Sequence, residues 1–262
     1  MSKPIRWLID LHPDFPASNI VAAYLKSCDK TDPIIMDRRA VMLGDWPQTA
    51  DWIVGYGTMH TMNRLMRYTP LNIGVFDDYA SLRCSKYYGY IHSLLRRDFL
   101  FAPFGSLPYL PLQKMFGERF FVRSDTNYKL FPAEVLSISE LSQWVDTYRD
   151  YAHELAVVAE VVKFDIEYRC FCRNGRFFCG SSYPTEPYAE VPQEIQIFAE
   201  GAAQVLADTG MNMLTIDVGL CEDEPCIVEI GGVNSWGLYG ANVDNFVITM
   251  EEEARERWDD FI

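Results

Sequence analysis

Two short apolar runs between residues 213 and 231, MLTIDVGLC and PCIVEIG, each carry an acidic residue in mid-run, and this restricts the fold more than any other feature of the chain. Leu214, Ile216, Val218 and Leu220 alternate with Thr215, Asp217, Gly219 and Cys221. Beyond the acidic residues 222–224, Ile227, Glu229 and Gly231 alternate with Val228 and Ile230, so the period is that of a β-hairpin. With Glu222, Asp223 and Glu224 as a three-residue turn, opposed residues have numbers of constant sum, and Asp217 falls across from Glu229. Like charges opposed across a ladder repel, and burying them costs more. A cation between them resolves the conflict. Magnesium, which takes one or two carboxylates plus phosphate oxygens, suits the pair and leaves positions for a nucleotide. A carboxylate turned to solvent at a strand end is the alternative. The glycine-rich stretch GGVNSWGLY follows directly.

The 262 residues include 49% hydrophobic and 14% aromatic side chains, enough for a large core in one domain or two packed lobes. No apolar run reaches membrane-spanning length, and MSKPIRWLID leads into a strand rather than a signal peptide, so a cytoplasmic protein without membrane partners is expected. With 37 acidic against 23 basic residues the net charge is −14, the wrong balance for a duplex nucleic-acid surface. Seven cysteines without a CxxC pair argue for reduced thiols. An Asn174-Gly175 turn would set Cys170 opposite Cys179 with Cys172 on the same face, as buried small hydrophobes or as a metal or redox cluster. His12, His60, His92 and His153 show no ligand spacing and are given no catalytic role.

Residues 5–76 alternate strand-like segments (5–9, 34–36, 52–54, 72–76) with helical ones (19–25, with Ser18 as N-cap, and 59–67), which predicts a small, mainly parallel sheet covered by helices. No GxGxxG or GxxxxGK[ST] motif occurs. Residues 77–98 are rich in tyrosine and basic residues, and 101–111, with three prolines, read as a connector between lobes. Then come a strand at 120–123, a polar loop at 124–128, a returning strand beginning at Lys129 and a helix at 139–152. Arg123 and Lys129 bound a loop able to cover phosphate oxygens, or simply a solvated hairpin. The apolar run 156–162 predicts a buried strand and leads to Lys163, Asp165, Glu167 and Arg169, four charges of alternating sign on one face, opposite Phe164, Ile166 and Tyr168. That row is either a solvated outer strand or a cleft wall, whose cations hold phosphate and whose anions hold metal or ribose. A helix at 191–207 precedes the hairpin, and a charged helix at 250–261 ends the chain, with Asn242 and Asp244 as further polar candidates.

As a set, FVRSD with Lys129, EYR at 167–169, Ile216-Asp217, and VEI running on to Gly237-Leu238-Tyr239 resemble an ATP-grasp domain, most closely its divergent branch common in phage and bacterial genomes and related to a eukaryotic factor that assembles a translation-initiation complex. The resemblance covers residues 103–247, with 5–76 suiting the α/β domain that precedes such a core. It implies an N-terminal α/β domain over 1–102 and an ATP-grasp domain over 103–262, with ATP held between two α+β lobes. Adenine would rest against Glu160, Val161 and Val162. Arg123, Lys129 and Arg169 would contact phosphates, Lys129 and Arg169 with catalytic roles. Lys163 and Glu167 would line the nucleotide site, and Asp217 and Glu229 would hold magnesium. Where the family usually has asparagine two residues after the metal-binding glutamate, this chain has Gly231; Asn234 would replace it through a longer loop. Ala133 stands where the family often has glycine. The implied activity is γ-phosphoryl transfer from ATP to a small-molecule or protein carboxylate, giving an acylphosphate that an amine attacks, with release of ADP and phosphate. An ATP-binding assembly factor without turnover is the alternative.

Overall fold

The computed structural model describes residues 3–28, 32–67 and 71–261. Its chain forms two compact units, each from separate stretches: Met1–Asp78, Ile166–Val218 and Val228–Ile262 make the first, Tyr79–Asp165 and Gly219–Ile227 the second. The architecture is mixed α/β, with one parallel and two antiparallel sheets.

In the first unit, β1 (Ile5–Ile9), α1 (Ala17–Ser27), β2 (Ile34–Ile35), α2 (Arg38–Leu43), β3 (Trp52–Tyr56) and α3 (Met59–Met66) give a three-stranded parallel sheet in the order β2-β1-β3. Every residue of β3 is buried, as expected of a strand covered on both faces. Leu8, Ile9, Ile53 and Val54 are wholly inside, each stabilising by about 1.5–3 kcal/mol. Helix α3 starts where Thr58 accepts the Thr61 amide. Ser18 caps nothing: α1 begins at Ala17 after Pro16, and the buried Ser18 hydroxyl donates to Phe15 O at 2.8 Å. Nor do residues 72–76 add a strand. Leu71–Gly74 is a 3-10 turn packed so closely on β3 that a Cβ on Gly74 would lie 2.4 Å from Ile53 O.

The second unit opens with two short helices, α4 (Cys84–Tyr87) and α5 (His92–Leu95). There follow β4 (Phe99–Pro103), a 3-10 helix (Phe104–Tyr109), α6 (Leu112–Phe116), β5 (Arg119–Ser124), β6 (Glu134–Ser137), α7 (Ile138–Thr147) and β7 (Leu155–Ala159). The antiparallel sheet runs β4-β7-β5-β6. The proline-bearing stretch 101–111 is thus a strand and a helix whose Phe104 and Leu107 are fully buried. Phe104 stacks on Phe131 at 4.2 Å, with the Trp144 ring edge-on to both. The return strand starts at Glu134, five residues later than Lys129, and Ser137 with Glu140 forms a capping box on α7.

The polar loop after β5 is interior, not solvated. Asp125 is wholly buried; it accepts from Arg83 Nε (2.8 Å), Ser85 N (2.7 Å) and Ser85 Oγ (3.0 Å), and its carbonyl accepts from Cys84 N (2.9 Å). One purpose of the tyrosine- and arginine-rich segment is therefore to clamp this loop.

Last come β8 (Ile166–Arg173), β9 (Arg176–Tyr183), α8 (Gln193–Ala207), β10 (Met213–Cys221), β11 (Glu224–Gly231) and α9 (Val243–Phe261), the sheet running β11-β10-β8-β9. Asn174 and Gly175 form the expected turn, both with positive φ. A bulge at Phe178 then shifts the pairing, so Cys179 faces Phe171 and Cys170 faces Gly180. Cys170, Cys172 and Cys179 are buried, and burial pushes all three thiols up. Helix α9 begins seven residues before 250 because Phe246, Val247 and Met250 supply an apolar face, with the Asn245 amide donating to Asn242 Oδ1 at 3.0 Å. Asn242 and Asp244 thereby belong to a helix start, Asp244 accepting from the Tyr24 hydroxyl. Among the described residues no helix is long and apolar enough to cross a membrane.

Candidate functional site

Strand alternation puts Glu167 and Arg169 on one face of β8, and β10 beside it brings up Asp217. Arg169 grips Asp217 with two parallel bonds, Nε to Oδ1 at 2.8 Å and Nη2 to Oδ2 at 2.7 Å, and both side chains are more than nine-tenths buried. The positive group that the buried Asp217 demands is thus a guanidinium of the chain itself. Nη1 donates to Gly237 O at 3.2 Å. Three rings surround the guanidinium: Tyr183 and Trp236 with centroids 4.6 Å from its carbon, and Tyr239 at 4.9 Å.

The charges bear on each other. Burial works to lower the Arg169 pKa, but Asp217 outweighs it and keeps the guanidinium charged. Burial pushes the Asp217 carboxyl up, Arg169 pulls it down and Glu229 pushes it up again. Short, bidentate geometry on both oxygens is that of a carboxylate. The Glu167 carboxyl, which accepts from the Tyr183 hydroxyl at 2.9 Å, is raised by desolvation despite that bond.

The acidic hairpin differs from its expected register. Its turn is Glu222-Asp223 alone, with φ of 52° and 64°, so Cys221 and not a third turn residue faces Glu224. The count that set Asp217 directly opposite Glu229 therefore fails by one residue, although Glu229 still acts on Asp217. Two neighbouring carboxylates fit a magnesium ion whose other ligands are phosphate oxygens and water. Among the described residues no group of three or more His, Cys, Asp or Glu is arranged to hold a metal.

Asn234 is engaged elsewhere. Its Oδ1 accepts from Phe76 N at 2.6 Å, and its Nδ2 donates to Gly55 O at 2.7 Å and Gly74 O at 3.3 Å. Beside it the Asp77 carboxylate accepts from Val233 N, Asn234 N and Ser235 Oγ at 2.6–2.9 Å. The loop 232–236 is thereby fixed to the end of the parallel sheet, and the fully buried Tyr56 donates its hydroxyl to Trp236 O at 2.8 Å.

The remaining sequence candidates lie in the second unit. Arg123 on β5 is buried, its Nε donating to Ser124 O at 3.3 Å. Lys129 is exposed, with its backbone in the left-handed region at φ 49°. The expected edge 160–162 follows the end of β7: Glu160 makes a backbone bond to Asp98 O and accepts Asp98 N on its carboxylate, Val161 is exposed and Val162 half-buried. Lys163 is exposed. Sequence reasoning missed Asp77 and the three rings. A tryptophan and a tyrosine inside a glycine-rich loop were a visible signal. Tyr183 was hidden by the bulge, which moves it opposite Glu167, where an unbroken register would have put Ser182.

A family model described as an ATP-grasp domain, family 2 of its clade, matches residues 94–248. Among solved structures the chain is similar to the ATP-grasp ligase PsnB complexed with a phosphomimetic variant of its minimal precursor, Mg and ADP, with TM-score 0.61, 9% identity, and 97% of this chain and 100% of that one covered. It is also similar to the D-alanine-D-alanine ligase from Coxiella burnetii (TM-score 0.66, 10% identity, 98% and 96% covered). A third is the RimK domain protein ATP-grasp from Sphaerobacter thermophilus DSM 20745 (TM-score 0.59, 9% identity, 99% and 99% covered). At such identities the likeness is one of fold. No curated protein matches the chain.

Proposed function

Because the chain belongs to this family of ATP-grasp domains, we propose that it is an ATP-dependent ligase joining a carboxylate to an amine, with ADP and phosphate as by-products. A carboxylate oxygen bonds to the γ-phosphorus as the bridge to ADP breaks; the amine nitrogen then displaces phosphate from the acyl carbon. Such a transfer depends on positioning and charge neutralisation rather than on a protein nucleophile. The observation that carries this reading is the Arg169 guanidinium, fixed by Asp217 and three rings in a buried setting where its charge acts strongly. Asp217 and Glu229 would hold magnesium, whose role is to offset charge on the phosphates. Arg123 and Lys129 are proposed as further phosphate contacts, Lys163 and Glu167 as nucleotide-site residues, and Glu160 to Val162 as the adenine edge. PsnB is described with a precursor peptide, and a protein carboxylate is accordingly within the substrate class, beside small molecules.

ATP with magnesium should raise stability by about 2.7 kcal/mol at a hundredfold excess over its dissociation constant. Asp217→Asn and Glu229→Gln should each remove most of that gain, and equal melting shifts in wild type and both variants would reject the assignment. A nucleotide-binding factor without turnover is the second reading, favoured by the complete engagement of Asp217 by Arg169. Carboxylate-dependent ADP release separates the two, and AMP as product would exclude the acylphosphate route.

A further inference from the structure

Gly231 ends β11, and the reason for glycine there is a neighbour, not the backbone, whose φ lies outside the positive range. A Cβ at this position would lie 1.9 Å from Trp236 Cε2 and 2.0 Å from Cζ2. The indole cannot easily yield. It is 7% exposed and lies over Arg169, and its carbonyl is held by Tyr56. The loop before it is tied down through Asp77 and through the Asn234 amide.

We infer that Gly231 and Trp236 are a matched pair that limits this site to one divalent cation, with the indole filling the space through which a longer side chain at 231 would reach a second. The inference rests on the nucleotide reading above and deepens it. Asp217 and Glu229 supply ligands for a single ion with phosphate oxygens completing its shell. Neither loop position that could add an amide oxygen does so: 231 has no side chain, and the Asn234 amide is bonded to the backbone at both ends. Arg169 provides a permanent positive charge in the same neighbourhood, and the ring that excludes the second ligand is also one of the three that hold the guanidinium. Trp236 thus exchanges a cation for a better-fixed arginine.

The test counts manganese bound per chain in the presence of saturating ADP, by equilibrium dialysis with electron paramagnetic resonance of the free ion. Wild type should bind one, Asp217→Asn/Glu229→Gln none, and Gly231→Asn/Trp236→Ala two. Two ions in the wild type, or none while labelled ADP binds by fluorescence anisotropy, overturns the inference alone; failure of ADP to bind at all overturns the nucleotide reading with it. A ligand-free arm guards against misfolding. Gly231→Ala should lower the melting temperature, and Gly231→Ala/Trp236→Ala should recover part of the loss. A Gly231→Ala protein as stable as wild type would show that the indole does not require the glycine.

Discussion

Each unit buries an aspartate beside an arginine, and the two are satisfied in different ways. Asp125 is held by a backbone amide and a hydroxyl of Ser85 as well as by Arg83, which is about a third exposed. Asp217 relies for both oxygens on the buried guanidinium of Arg169. A carboxylate held by several donors, two of them neutral and local, is locked into the fold. One held by a single side chain can exchange that partner for another cation without unfolding anything. The first is a staple, and the second has the character of a site.

The sharpest way to break this comparison is to remove each arginine. Arg169→Ala leaves a buried carboxylate uncompensated and should cost about 3–5 kcal/mol in urea unfolding, whereas Arg169→Met/Asp217→Leu should recover most of it. Arg83→Met should cost only about 1–2 kcal/mol, because Ser85 still satisfies Asp125. Equal costs would erase the distinction. A smaller effect concerns pH. The folded protein holds the Glu167 proton more tightly than the unfolded chain, for which 4.5 is the reference. The associated stability is full below that value and is lost as pH rises through the raised one. Glu167→Gln should therefore make the decline of stability with rising pH shallower across this window; an unchanged slope would assign the dependence to Asp217 alone.

What could be read from the sequence follows from the range of the forces involved. Strands β5, β7, β8 and β10 announce themselves because period-two burial is local, and α8 because Pro192 and Gly210 bracket it. The family pattern rests on such segments. Residues 72–76 look equally strand-like, but the tight approach of Gly74 to β3 leaves them a turn. Polarity made residues 124–128 look solvated, since their partners lie some forty positions earlier. The hairpin's register hung on whether an acidic residue would accept positive φ, and Glu222 and Asp223 both do. Arg169, Glu167, Asp217 and Glu229 could be singled out from alternation and charge. The rings around Arg169 could not, because Tyr183 is displaced by the bulge and Trp236 by a loop whose course is set by Asp77 and Asn234.

Lys129 shows how such a site can be followed through descent. A lysine held at φ 49° occupies a conformation that glycine or asparagine adopts at lower cost. Mutation under selection for folding alone would drift toward those residues, since the exchange relieves the backbone and an exposed amine loses little packing. Retention of lysine against that drift is the signature to seek in related chains: lineages that still use the amine should keep it, and lineages that have abandoned the chemistry should be the ones where glycine appears.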